Sequence, residues 1–529
     1  MNSPRRKMQG IWLVCIAVFC LTACSKSPEE RRIKHMERGD AYFSNQEFKK
    51  AVIEYRNVVQ ADPKFAPGHY KLAQAYLKSA QPKKAFAAFS RTADLAPDNV
   101  DAQLRLGQLY LMGKDLKKAK EKAELVLDQD PKNVEALFLR VGTALGENNR
   151  EEASNSLQKI IDLDEHNARA HIFMARIAGS EKRFQDAEAH LRQAVAAEPN
   201  DPAVRTELAH FYETQGRPDE ALTQLETAIS HAPEEHRLLE RLGAFHVRRK
   251  QWKAAENAYI RAMQTAPTAP EPKVNLGRFY ASRKQWNEAV NALQDALDLK
   301  PQDPEIMHAL ASVYVESGRE KEADTLVERI LEQDPGNVNG RLLKARLLFT
   351  AGDFSKSAQV LNALITDHPT FSNAHYYLGL VKLALNKDQE AKKSLLTHVT
   401  YSPGNRNARI ILAQIYISNG LPDLALEQLD SVSADNRRHY RSYVLRGRAY
   451  GLKGNFEKAK RAYTQAIDVG PQKATAYYEL AVLHRRQKNV ENAFDNVEET
   501  LRRSPRHIPA IAMKVSLLLN QNKEETATS

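Results

Sequence analysis

Residues 66–99, APGHYKLAQAYLKSAQPKKAFAAFSRTADLAPDN, repeat one hydrophobic pattern twice. Leu72 and Tyr76 stand four apart in the first half, and Phe86 and Phe89 three apart in the second. That spacing puts each pair on one face of a helix. Ala73 and Ala85 lie among these large groups, where short side chains let two helices approach closely as they cross. Pro97 closes the stretch, because the residue before a proline is pushed out of the α region. The stretch therefore predicts two amphipathic helices joined by a short turn.

The pattern recurs along the chain. Prolines stand at 63, 97, 131, 199, 233, 267, 301, 335, 369, 403, 471 and 505, every interval being 34 residues or twice 34. Glu165 and Arg437 fill the two empty slots. Twelve residues before each slot is an alanine, with Ser357 the one substitute, and twelve earlier again is glycine or alanine, with Val141 the exception. A fixed period of this length is the mark of a repeat architecture and overrides the several globular domains that length alone suggests.

In length and pattern the unit resembles the tetratricopeptide repeat. The resemblance implies an all-α fold: a right-handed superhelical solenoid of about fourteen helix-turn-helix repeats over residues 32–507. A capping helix at 508–520 and a disordered tail at 521–529 would follow. Each repeat touches only its neighbours, so the core grows along one axis. Two joints are expected to be soft. One is near Arg140, a cation at a usually apolar position in a repeat without its proline. The other is near Arg437.

The N-terminus carries a different signal. Arg5, Arg6 and Lys7 precede an uncharged run, Ile11 to Ala23, which ends Leu21-Thr22-Ala23-Cys24. The run is too short to span a bilayer comfortably and has the layout of a secretory leader. Its end resembles the lipobox of bacterial lipoproteins. The resemblance implies a signal peptide at 1–23, cleavage before Cys24, lipid on the Cys24 thiol, and a short linker over 24–31. The three cysteines are Cys15, Cys20 and Cys24, so the mature chain would hold one blocked thiol and no disulfide. One acyl chain anchors only marginally, whereas the three of this family would hold the chain to a membrane durably. Ser25 after the cysteine implies an outer-membrane anchor facing the periplasm.

The chemistry of catalysis is missing from the sequence. It has no metalloprotease HExxH, no phosphate-binding glycine loop and no GxSxG elbow, so no enzyme, cofactor or metal site is expected. His35, His69, His171 and His375 share one position of the first helix and read as packing residues. Trp252 and Trp286 share the slot of Phe48, Phe184, Phe354 and Phe456 just before the second helix, and read as core. The net charge is +11, or +8 once Arg5, Arg6 and Lys7 leave. In an exported protein that excess suits acidic proteins, anionic polysaccharide or phospholipid, and nucleic acid is not expected.

In the tetratricopeptide family, positions 2, 5, 9, 12 and 13 of the first helix supply the inner face. Early repeats place Phe43, Tyr70, Leu77, Leu104, Leu111, Met112, Phe138 and Ile172 there. Middle repeats mix Arg278 and other arginines with acids, the last being Glu316. Beyond it come Arg346, Arg441, Arg448, Arg485 and Arg486. The resemblance therefore implies a groove that is apolar near the anchor, for an amphipathic helix or extended peptide. Its far end would be basic, for an acidic protein tail or a uronate-rich anionic polysaccharide. The reading that follows is a periplasmic scaffold holding the proteins of an envelope complex. The opening is similar to that of tetratricopeptide lipoproteins in exopolysaccharide and exosortase (PEP-CTERM) systems. The alternative is an adaptor for type IV pilus secretin assembly or for peptidoglycan enzymes.

Overall fold

The computed structural model describes residues 27–433 and 439–520. Cys15, Cys20, Cys24, the leader, Arg437 and the tail at 521–529 lie outside them. Among the described residues all regular structure is helical, from Pro28–Ser44 to Ile508–Asn520. No helix among them is long and apolar enough to cross a membrane. The helices gather into two compact units, Met1–Ala258 and Tyr259–Ser529.

One repeat shows how the sequence builds the rest. Helix α1 (Ala66–Lys78) and helix α2 (Pro82–Leu95) are the predicted pair. Between them Ala80 has φ +57°, and the Gln81 N–H reaches back to the Tyr76 carbonyl at 2.8 Å. This is a Schellman turn, in which a left-handed residue lets the chain reverse while late carbonyls find donors. All fourteen repeats place a left-handed residue at this position, and only Gly216, Gly318, Gly352, Gly420 and Gly454 are glycines. After α2 the chain turns extended at Ala96, φ −138°, just before Pro97. Asn99 then caps the next helix, Val100–Met112, accepting from the Ala102 N–H at 2.9 Å.

The small residues do what their spacing implies. The alanine series from Ala51 to Ala493, with Ser357, is wholly inaccessible to solvent. Ser357 uses its hydroxyl to donate to the Ala345 carbonyl at 2.7 Å. Where the partner position is glycine, an aromatic or leucine fills the gap. A Cβ on Gly39 would lie 2.5 Å from the Tyr55 ring, and one on Gly379 2.7 Å from Leu395.

Two expectations are corrected here. The first helix, Pro28–Ser44, begins inside the stretch read as linker. Ser27 and Glu30 form a reciprocal capping box that nucleates it there. The Arg140 joint is closed, not loose: Arg140 Nε donates to Ser156 Oγ at 2.9 Å, and a guanidinium nitrogen lies 3.7 Å from Glu124. Lys344 and Arg446 stand at the same repeat position and are matched likewise, to Asp324 at 2.6 Å and Asp430 at 2.8 Å. The missing proline at Glu165 changes nothing locally, since Asp164 is extended, φ −148°. Its carboxylate accepts from the His166 N–H at 3.1 Å, as Asp130 does from Lys132.

Candidate protein-interaction face

Within each compact unit first helices of successive repeats come together. Val100–Met112 meets Val134–Gly146, and Arg406–Ser418 meets Tyr440–Leu452. These helices form one layer, and the second helices back it. A partner would meet the side chains of the first-helix layer.

In Met1–Ala258 most of the expected apolar residues are structural. Leu104 and Phe138 are buried, and Phe43, Tyr70, Leu111 and Ile172 are half-buried. Phe43 meets Phe48 edge-on at 5.3 Å and Tyr70 meets Phe89 at 5.8 Å. The Arg169 guanidinium lies 3.9 Å over the Phe138 ring. Long side chains on a helix lean toward its N-terminus onto the neighbouring turn, which carries them into the seam between helices. Leu77 and Met112 remain exposed, Met112 at 77%.

The arginines of the far end are largely engaged. Arg448 donates through Nε and Nη2 to Glu479 Oε1 at 2.9 and 2.6 Å. Arg346 pairs with Glu316 and stands 5.2 Å over the Tyr377 ring. Arg441 donates to Gln414 Oε1 at 2.6 Å. Arg485 and Arg486 are exposed. The uniformly basic end expected from five positions is therefore corrected, because Glu479 sits at a sixth position that also reaches this face. The same register pairs Asp40 with Lys71 at 3.0 Å and Arg176 with Glu207 at 2.8 Å.

Clefts open at several places on this layer, one of them beside Arg448, Glu479 and Arg486. In Met1–Ala258 a cleft of about 340 Å³ is lined by Glu207, His210, Glu213, Arg241 and Arg248, with Arg248 bidentate on Glu213 at 2.8 Å to both oxygens. In Tyr259–Ser529 a cleft of about 490 Å³ is lined by Arg278, Lys284, Trp286, Leu293, His308 and Val313, with Glu316 at its rim. Burial, then the nearby Arg346 and Arg278, hold the His308 pKa below the usual imidazole value. Trp286 is thus half-buried at a cleft and not in the core. Its slot-mate Phe184 is 42% exposed, because this slot opens the second helix at the edge of the seam.

The shared histidine position serves the backbone. His69, His171 and His375 bond through Nε2 to the carbonyls of Pro63, Glu165 and Pro369 at 3.1, 2.9 and 2.9 Å. Gln103, Arg205, Lys273 and Arg409 do the same at this position in other repeats. His35 instead meets Glu54 at 2.6 Å. Sequence reasoning did not reveal this inter-repeat clasp. The signal was there in part: a long polar side chain stands six residues after many of the proline slots, though Leu137, Leu239 and Met307 fill the position elsewhere.

Family models match much of the chain. The model described as "Tetratricopeptide repeat" matches residues 70–134, 139–202 and 444–507, and that described as "TPR repeat" matches 39–79. The "Cilia and flagella-associated protein 70 C-terminal domain" model matches residues 196–409. Cellulose synthase operon protein C of Pseudomonas fluorescens (strain SBW25) is 29% identical over 153 residues, which is 27% of this chain and 12% of that protein's length. Among solved structures, the Cut9–Hcn1 assembly of APC/C matches at TM-score 0.50 and 14% identity, over 94% of this chain and 92% of that one. Pseudomonas aeruginosa pilF matches at TM-score 0.35 and 20% identity, over 39% of this chain and 94% of that one. By period, by helix pairing and by the family-model matches, the chain belongs to the tetratricopeptide repeat family.

Proposed function

We propose that this tetratricopeptide protein is a periplasmic scaffold, held to the outer membrane by lipid on Cys24. In this reading it gathers the proteins of an exopolysaccharide export machine. As a protein-interaction scaffold it offers partners the first-helix layer. The observation that carries the envelope reading is the leader, Arg5 to Ala23, ending in Leu21-Thr22-Ala23-Cys24. Only Ser25, Lys26 and Ser27 separate Cys24 from the helix at Pro28, a reach of about 14 Å at full extension. The first repeat would therefore lie against the membrane. The polysaccharide assignment is supported by the relative from a cellulose synthase operon.

The test is mass spectrometry of the N-terminal peptide, with in-cell cross-linking from the first-helix layer. A triacylated N-terminal Cys24 and cross-links to polysaccharide polymerase or export proteins are expected. Cys24→Ala should release the chain or leave its precursor uncut. An unmodified N-terminus elsewhere, or cross-links confined to pilus or peptidoglycan proteins, refutes the reading.

A further inference from the structure

The cleft in Tyr259–Ser529 gathers polar groups that its own surroundings leave unused. It lies between the helix Pro270–Ser282, the start of Trp286–Leu299 and the helix Pro304–Glu316. The side chains of Arg278 and Lys284, both exposed, and of the half-buried Trp286 and His308 make no hydrogen bond or ion pair with a described residue. Arg278, Lys284 and the Trp286 indole N–H can only donate, while a neutral His308 ring carries one donor and one acceptor. Ser282 and Ser312 add acceptors. Each hydroxyl gives its proton to a main-chain carbonyl, Ser282 to Phe279 at 2.6 Å and Ser312 to His308 at 2.8 Å, and its lone pairs stay available. The carboxylate at the rim, Glu316, is engaged by Arg346. Beneath these groups Leu293 is fully buried and Val313 is 5% exposed. The cleft of about 490 Å³ is thus apolar at its floor, polar around it and positive at its mouth.

We infer that this cleft binds an acidic sugar unit of a polysaccharide: the C–H face of the ring lies against the Trp286 indole, its hydroxyls exchange hydrogen bonds with His308, Ser282 and Ser312, and its carboxylate pairs with Arg278. The inference deepens the scaffold reading, resting on its polysaccharide part, and names a ligand for repeats eight and nine. A hydroxyl both donates and accepts, so one sugar ring can satisfy the donors and the acceptors of the cleft together. The indole offers a broad apolar face with a polar edge, which matches a pyranose, apolar on its C–H face and polar at its rim. A guanidinium can hold a carboxylate bidentately, which fixes register as well as adding energy. An acidic peptide suits the cleft less well. Its carboxylate would meet Arg278, but a bulky apolar side chain above Leu293 and Val313 would cover the imidazole and the two serine oxygens without pairing them. Polar groups buried unpaired are costly.

The test titrates the full chain with hexagalacturonate and follows the heat of binding. Saturable binding is expected, weakening with added salt. It should be lost with the fully methyl-esterified hexamer, which keeps the rings and loses the charge. Arg278→Gln removes a charge-assisted pair and should weaken binding about tenfold. Arg56→Gln removes the same charge from an exposed position of the helix Phe48–Ala61 and should leave the affinity unchanged. Both arginines are exposed, so these variants keep the fold, and unchanged circular dichroism checks that they have. Trp286→Leu should weaken binding more than Trp286→Phe, because phenylalanine keeps the wall aromatic. No saturable binding, equal loss in Arg278→Gln and Arg56→Gln, or indifference to methyl esterification overturns the inference. So does tighter binding of an acidic peptide, Gly-Ser-Phe-Asp-Glu-Ser-Gly, than of the hexamer. If cross-links to polysaccharide proteins persist while the hexamer fails, the cleft assignment is wrong and the scaffold stands. If the hexamer binds and no such cross-link forms, the scaffold assignment is the one that fails.

Discussion

Gly447→Ala adds a single methyl group at the most crowded helix crossing for which the structure gives a distance. The new Cβ would lie 2.2, 2.5 and 2.6 Å from three ring carbons of Tyr463. Carbon atoms rest at about 3.5–4.0 Å, so the ring or the helix must move by more than an ångström. Tyr463 has little freedom to do so. It is 3% exposed, and its hydroxyl stands 3.4 Å from Glu479. Overpacking of this kind costs about 1–3 kcal/mol, and contact with three ring atoms argues for the upper end. Alanine returns about 1 kcal/mol through its better helix propensity, leaving a net loss of about 2 kcal/mol. Gly451 supplies the control. It lies in the same helix, Tyr440–Leu452, and a Cβ there meets nothing within 4 Å. Gly451→Ala should therefore be neutral or stabilising by up to about 1 kcal/mol. Because repeats unfold locally, the assay is hydrogen exchange of peptides from Tyr440–Leu452 and Phe456–Val469, with urea unfolding alongside. Tyr463→Leu in the Gly447→Ala background should recover part of the loss. Equal protection in the two alanine variants would refute the packing argument.

Ala80 holds φ +57° with a Cβ in the left-handed region, which costs about 1–2 kcal/mol for a residue other than glycine. Ala80→Gly should raise the urea midpoint, and a lowered midpoint would show that the turn carries no strain. His171 and His190 share a hydrogen bond, Nδ1 to Nδ1 at 3.0 Å. Burial, followed by the His171 neighbour, depresses the His190 pKa. A histidine whose folded pKa is lowered takes up its proton more readily once unfolded. Its contribution is full above the ordinary value of about 6.5 and is lost as pH falls toward the folded value. The urea midpoint should therefore drop on acidification from neutrality, less so in His190→Gln. An equal drop in both would refute the assignment.

The fold was legible because period, small residues and prolines all report backbone packing, which each repeat must solve identically. Ala51, Ala85 and Ala119 could be placed at the helix crossing from spacing alone, and their complete burial follows from it. The left-handed turn position was hidden. Gln46, Lys114 and Asn148 adopt it without being glycine, since the Schellman hydrogen bonds and not the side chain select the conformation there. The charge of the first-helix layer was misjudged for another reason. Glu479 is 31 residues from Arg448, and no local pattern ties a cation to an acid in the next repeat. The environment of Arg140 was hidden likewise, because Ser156 and Glu124 lie on two different second helices.

These cross-repeat pairs bear on partner choice more than on stability. The pairs Arg176–Glu207, Arg448–Glu479 and Arg248–Glu213 all have one member more than a third exposed, and such pairs each contribute about 0–1 kcal/mol at most. Their effect on a ligand is larger, because an acid approaching Arg448 must first displace Glu479. The paired arginines thus discriminate against loosely acidic chains, and Arg237, Arg278, Lys284, Arg485 and Arg486 are among the exposed cations that pair with no acid among the described residues. Specificity then arises from what the layer already satisfies internally as much as from what it offers. A partner selected this way must bring its carboxylates to the few positions where no acid of the next repeat has arrived first.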